Sequence, residues 1–142
     1  MSYIIRLLEI TDYMCYKNHI MSEFNEEYFI SFYKNMLQHN QHIVIAEKDN
    51  NIIGSGTLLI ENKLTYGGCK MAHIENILIN ESNRGQKIGI QIINKLIELS
   101  EIHKCYRIDL ICADDLIKYY KKINFNTRDE TAMSIILIHN FN

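Results

Sequence analysis

The 142-residue chain is 47% apolar and carries 15 Lys and Arg against 17 Asp and Glu, a formal net charge of -2. That length suits a single domain over residues 1-142 built on one core. The near-balance of charge excludes the basic surface on which nucleic-acid binding depends, and no apolar run approaches the roughly 20 residues that cross a bilayer.

In chain order, Ile4 to Leu7 reads as a short strand. Thr11 and Asp12 are cap-forming residues before a helix over Tyr13 to Met21. Asn25-Glu26-Glu27 opens a second helix through about Gln38, with Phe29, Phe32, Tyr33 and Met36 at helical spacing. His42 to Glu47 and Ile52 to Glu61 are strand-like runs flanking Asp49-Asn50-Asn51, a hairpin pattern. Gly54 and Gly56 inside the second run predict a bulge or a close neighbour. Lys70 to Asn80 is a long strand. A helix from about Gln86 to His103 aligns Ile88, Ile92, Leu96 and Leu99 on one face, with Ile93 and Ile97 beside them. Tyr106 to Cys112 is a further strand, Asp114-Asp115 starts a helix to about Ile123, and Ala132 to His139 closes the chain as a strand.

The order β-α-α-β-β-β-α-β-α-β predicts an α/β (α+β) fold with a mixed central sheet and helices on both faces. Its strand–helix–strand unit crosses over right-handed, which makes those two strands parallel. Cys15, Cys69, Cys105 and Cys112 form no C-x-x-C pair, so reduced, mostly buried thiols are expected. The histidines have no metal spacing, and no metal is expected. Met1 to Arg6 lacks the charged start and apolar core of a secretory leader, so the expected location is cytoplasmic, with no membrane partner. Proline is absent, and turns must rely on Gly, Asn and Asp.

Ala72 to Gly89 is the stretch richest in chemistry. An apolar strand carrying Glu75 and Asn76 ends at Asn80 and feeds Arg84-Gly85-Gln86-Lys87-Ile88-Gly89 at the start of a long helix. Backbone N–H groups at a helix start lack internal partners, and the helix dipole adds positive potential. Gly85 and Gly89 leave room for close approach, and Arg84 and Lys87 add full charges. The segment therefore sets a polar strand centre beside an anion cradle. By itself such a turn is equally a plain strand–turn–helix connection with solvated Arg84 and Lys87.

Taken with the element order, these residues resemble the GNAT superfamily of N-acetyltransferases. That superfamily cradles the pyrophosphate of acetyl-coenzyme A in an Arg/Gln-x-x-Gly-x-Gly/Ala turn, and Lys87 stands here where the first glycine is usual. Within it the chain is most similar to glucosamine-6-phosphate N-acetyltransferases, from Arg6 to about Met133. Ala72-His73-Ile74-Glu75-Asn76-Ile77-Leu78-Ile79 resembles their GHIEDIVV strand, and Arg84 to Gly89 their RGKQLG turn. Gly56-Thr57-Leu58 with Glu61 and Lys63, Cys105-Tyr106-Arg107, and Tyr119-Tyr120-Lys121-Lys122-Ile123-Asn124-Phe125 match three more of their stretches, Asn124 replacing a glycine. Asn76, Ile111, Leu116 and Ser134 stand where that group carries Asp, Asp, Asn and Arg.

The resemblance implies transfer of an acetyl group from acetyl-CoA to glucosamine 6-phosphate in a ternary complex, a step of UDP-GlcNAc biosynthesis. Arg84, Gly85, Gln86, Lys87, Ile88 and Gly89 would hold the pyrophosphate, and the backbone of Ile77, Leu78 and Ile79 the pantetheine arm. The Ile77 N–H is the candidate oxyanion donor, Glu75 the base that takes the ammonium proton, and Tyr120 the acid for the departing thiolate. An acid at the centre of an apolar strand is expected to feel desolvation; the plainer reading of Glu75 is a solvated side chain or a partner of Lys70. The plainer reading of Tyr120 is a helix core tyrosine. Lys63, Thr65 and Tyr66, with Glu75 and Asn76, would contact the sugar phosphate, or else belong to a solvated loop. The resemblance also implies a homodimer, for which Ile135 to Ile138 supplies an apolar strand. Two other functions fit the same residues: acetylation of another amine, such as a protein N-terminus or a polyamine, and a non-catalytic acyl-CoA sensor.

Overall fold

A computed structural model describes residues 2–137. The elements are β1 (Ile4–Leu7), α1 (Tyr13–Ile20), α2 (Glu26–Gln38), β2 (Gln41–Lys48), β3 (Asn51–Lys63), β4 (Cys69–Ile79), α3 (Ile88–Ile102), β5 (Arg107–Leu110) and α4 (Ile117–Lys121). The sheet runs β1-β2-β3-β4-β5. The first four strands pair antiparallel, and β5 joins β4 in parallel after the α3 crossover. The sheet is thus mixed, as the sequence predicts. Two compact units make up the chain, one ending at Leu110 and the other beginning at Ile111.

Local chemistry accounts for the element ends. Asp49 and Asn50 have φ of 50° and 62°, the pair of positive values that a tight hairpin with matching twist requires. Asn25 caps α2 by accepting the Tyr28 N–H at 2.8 Å. Asp12 stands at the N-cap of α1 but makes no side-chain cap bond. Its carboxylate instead takes the Arg6 guanidinium at 2.8 and 2.9 Å and the Glu9 N–H at 2.7 Å, so a tie back to β1 replaces the expected cap.

The two sheet faces carry different cores. Gly54 and Gly56 of β3 face α3, which buries Ile88, Ile92, Ile93, Leu96 and Leu99. On the opposite face Leu8, Ile43, Ile45 and Ile52 pack with Phe29 and Met36 of α2. Helices therefore cover both faces. These apolar sets recur every two residues in strands and every three or four in helices, as burial of one face demands.

Several expectations shift. Helix α3 begins at Ile88 rather than Gln86, because Lys87 sits in the left-handed region at φ 62°. Strand β5 is Arg107–Leu110, shorter than Tyr106 to Cys112. All four cysteines are half-buried free thiols rather than mostly buried ones. Residues 132–137 form no strand, and Met133, Ile135, Ile136 and Leu137 are exposed. An extended segment becomes a strand only where a neighbour takes up its N–H and C=O groups. Ile138 and His139, the end of that expected strand, lie outside the described residues.

In the second unit, the turn Asp114–Leu116 precedes α4, and Asn124 follows it at φ 73°. Asparagine tolerates that conformation better than most residues, which explains how it replaces a glycine. No helix among the described residues is long and apolar enough to cross a membrane.

Candidate active site

The centre of β4 is irregular. Ser55 pairs with Leu78 and Thr57 with Glu75, so two steps along β3 match three along β4. The extra residue is Asn76, at φ 54°. This is a β-bulge, and it reverses the phase of the strand. Ile74 opposes Leu58 before it; Ile77 and Ile79 meet the Gly56 and Gly54 positions after it, on the α3 side. Glu75 opposes Thr57 on the other face. Its side chain is solvent-exposed rather than buried and, among the described residues, makes no hydrogen bond or ion pair with Lys70 or any other group.

Pairing of β4 with β5 stops at Ile74 and Leu110, whereas β4 continues to Ile79. From Glu75 onward one edge of β4 has no strand partner in this unit. Unpaired strand edges bind extended, amide-containing ligands, and the pantetheine arm is one.

The same segment leads into the anion turn. After Asn80 come a single 3-10 turn, Glu81–Asn83, and then Gly85 at φ 81°. A Cβ on Gly85 would meet nothing within 4 Å, so the backbone there is open to close approach. The first bond inside α3 is Gln91 N–H to Lys87 O, at 3.2 Å. The N–H groups of Ile88, Gly89 and Ile90 therefore lack helical acceptors, and no side chain caps them. Lys87 is exposed, and Arg84 reaches back to the Ile79 carbonyl at 3.4 Å. Gln86 has a buried Oε1 without a hydrogen-bond partner. Open donors, two cations and an unsatisfied amide fit a diphosphate with a polar extension.

Tyr120 lies in α4, 8% exposed, edge-on to Tyr119 and Phe125 at 5.1 and 5.9 Å between ring centroids. Burial pushes its phenol above the ordinary value, and Tyr119 and Cys112 add to this. It thus stays protonated as a donor through the physiological range.

Lys63, Thr65 and Tyr66 lie at the opposite end of β4 from Ile77. Lys63 pairs with Cys69 at the hairpin end, and Ile77 lies eight steps further along β4, about 25 Å along the strand. Lys63 Nζ is 3.8 Å from Glu61, Thr65 Oγ1 is 3.6 Å from Cys69 Sγ, and Tyr66 packs edge-on against Tyr106 at 5.6 Å. Within one chain, the bulge and turn come together and this loop stands apart from them.

Sequence reasoning missed His19. It is buried, with Nδ1 2.7 Å from Asn80 Oδ1 and Nε2 2.9 Å from Ser55 Oγ. Its position on the inner side of α1 carried a signal of burial, but its partners come from β3 and from the end of β4. Among the described residues no cluster of three or more His, Cys, Asp and Glu could hold a metal ion.

The chain is similar over its length to known proteins. It is 32% identical over 141 residues to glucosamine 6-phosphate N-acetyltransferase 1 of Dictyostelium discoideum, covering 93% of this chain and 89% of that one. It is 29% identical over 91 residues to a probable glucosamine 6-phosphate N-acetyltransferase 2 of Oryza sativa subsp. japonica, covering 61% of this chain and only 55% of that protein's length. The solved structure of a Trypanosoma brucei acetyltransferase shares the fold with a TM-score of 0.91 at 23% identity, over 96% of this chain and all of the other. The profile of the acetyltransferase (GNAT) family matches residues 5–125, across β4, its bulge and the anion turn, and the chain belongs to that family.

Proposed function

We propose that this protein is an acetyl-CoA-dependent N-acetyltransferase whose acceptor is glucosamine 6-phosphate, supplying a step of UDP-GlcNAc biosynthesis, and that residues 1-142 act as one GNAT domain. One observation carries the reading: a single stretch of chain joins the bulge at Asn76, the unpaired edge of β4 and the open N–H groups of Ile88 to Ile90. The names of the relatives support the amino-sugar acceptor.

Acetyl-CoA supplies the acetyl group as a thioester. Arg84, Lys87 and the N–H groups from Gly85 to Gly89 bind its diphosphate. Ile77, Leu78 and Ile79 hold the amide-bearing arm through their backbone, and the Ile77 N–H stabilises the charge that builds on the carbonyl oxygen, typically by about 3 kcal/mol for one such donor. Glu75 accepts a proton from the substrate ammonium, directly or through water, which frees the nitrogen to bond the carbonyl carbon as the C–S bond breaks. Tyr120 then gives its phenol proton to the thiolate, and the second proton leaving the new amide nitrogen passes through water to restore the phenol. Asn76 orients a sugar hydroxyl.

The loop holding Lys63, Thr65 and Tyr66 is too far along β4 to touch the same small acceptor as Ile77 of its own chain. In a homodimer it serves the site of the second copy, and the exposed apolar residues 135–137 supply the contact between copies. The same separation favours the second reading, in which the acceptor is another amine and the loop takes no part.

Thiol release from acetyl-CoA, measured with a panel of amines, tests the assignment. Turnover with glucosamine 6-phosphate but not glucosamine is expected. Turnover only with peptides or polyamines replaces the acceptor, and cofactor uptake without any turnover leaves an acyl-CoA sensor.

A further inference from the structure

His19 is 6% exposed in the last turn of α1 and has no part in the chemistry above. Its imidazole joins two residues of the sheet. Nδ1 lies 2.7 Å from Asn80 Oδ1, and Nε2 lies 2.9 Å from Ser55 Oγ. The Asn80 amide nitrogen donates to the Ile52 carbonyl at 3.3 Å, which fixes its Oδ1 as the acceptor facing His19. Nδ1 therefore carries the proton, and Nε2 accepts from the Ser55 hydroxyl. Tyr16, one turn earlier in α1, also lies near Ser55. Burial lowers the His19 pKa and keeps the ring neutral in this tautomer.

The two partners are not arbitrary positions. Ser55 opposes Leu78, the first paired residue after the bulge. Asn80 is the residue that hands β4 over to the anion turn, and its own N–H donates to Ile53 O at 2.9 Å. One imidazole thus bonds Asn80 directly and, on β3, the cross-strand partner of Leu78, from the face opposite α3. A binding segment on a strand edge needs such support, because a ligand reads its position to a fraction of an ångström.

We propose that His19 is a positioning residue for the acetyl-CoA site, fixing the hand-over from β4 to the diphosphate turn through Asn80. The proposal rests on the acetyl-CoA reading above. It assigns the bond to Asn80 a role in binding, and the bond to Ser55 a role in stability alone.

The two bonds can be separated. An asparagine side chain places its amide where Nδ1 was and still donates to Asn80. A glutamine reaches the Nε2 position and meets only Ser55. Calorimetric titration of wild type, His19→Asn and His19→Gln with coenzyme A, each with a thermal melt, reads the difference. Both variants are expected to lose similar melting temperature, while affinity falls about tenfold or more in His19→Gln and stays within about threefold in His19→Asn. Equal affinities in the two folded variants overturn the proposal. If wild type takes up no coenzyme A, the acetyl-CoA reading falls and takes this one with it, so the two failures are distinct. Should either variant fail to fold, the imidazole Nδ1–H resonance of wild-type His19 decides. It is expected to shift and exchange more slowly on adding coenzyme A, and an unchanged resonance overturns the proposal.

Discussion

Gly56 and Ile77 face each other across the β3–β4 pair so closely that a Cβ on Gly56 would lie 2.6 Å from Ile77 Cδ1. The same Cβ would lie 2.9 Å from Ile92 and 3.1 Å from Leu96, both buried in α3. The Ile77 side chain must yield, and Ile77 lies on the strand edge that would hold the pantetheine arm. Gly56→Ala is therefore expected to cost about 1–3 kcal/mol of stability through overpacking. It should weaken coenzyme A binding as well. Denaturant unfolding and calorimetry check both, and unaltered affinity would show that Ile77 is not at the binding edge.

Lys87 holds a left-handed conformation that a glycine adopts without penalty. Lys87→Gly should raise stability by up to about 1 kcal/mol, the cost of left-handed backbone in a residue with a Cβ. It should also weaken coenzyme A binding through the lost charge, and the loss should shrink in high salt. A variant that gains stability and binds as tightly as wild type removes Lys87 from the anion cradle.

For the chemical step, Glu75→Gln should lower kcat by about 100-fold, within the usual range for a lost general base. The rate should then rise with pH toward the pKa of the amine itself. Tyr120→Phe should have a smaller effect, about tenfold, since a thiol with a pKa of about 8.5 needs little help to leave. If both variants keep the wild-type rate and pH profile, neither residue moves a proton.

Stability should decline with acid in two stages. Burial lowers the pKa of His19 and of His42, and His103 adds to the effect on His42. Such groups bind protons more readily in the unfolded chain, so stability falls as pH drops through about 6.5 toward the folded values. Burial resists ionisation of Asp12, yet the Arg6 guanidinium and the Glu9 N–H hold its carboxyl below the ordinary value. That contribution is complete above about 3.9 and disappears as pH falls through the lower folded value. Melting temperatures between neutrality and pH 3 check both windows. His42→Gln should flatten the first, and an unchanged slope there would mean that His42 is not one of its sources.

Ile136→Asp places a charge in an apolar segment that is 84% exposed at that residue. If the segment joins two copies, sedimentation should give a dimer for wild type and a shift toward monomer for the variant. A wild-type monomer at all concentrations removes the composite site.

Most of the architecture was legible because each element carried its own signal. The apolar period of α3, the Asp49-Asn50 turn and the Asn25 cap are local features, and each formed where expected. The glycines at 54 and 56 announced a close neighbour, and both a bulge and a crowding helix are there. Partners distant in sequence were not legible. Asp12 looked like a cap until Arg6 claimed it, and nothing around His19 hinted at Asn80, 61 positions away. Residues 132–137 have strand composition, but composition does not supply a neighbour.

The left-handed turn of Asn76 has a consequence for mutation as well as for chemistry. It lets Glu75 point to one side of the sheet while Ile77 and Ile79 point to the other. Losing that single codon would give a ladder without a bulge in which Glu75 and Ile77, now adjacent, still alternate, so both isoleucines would keep their places against α3 and only the irregularity at the strand centre would go. A deletion at position 76 is thus absorbed by the ladder, whereas one residue added there, with no second bulge to take it up, would turn the rest of the strand inside out.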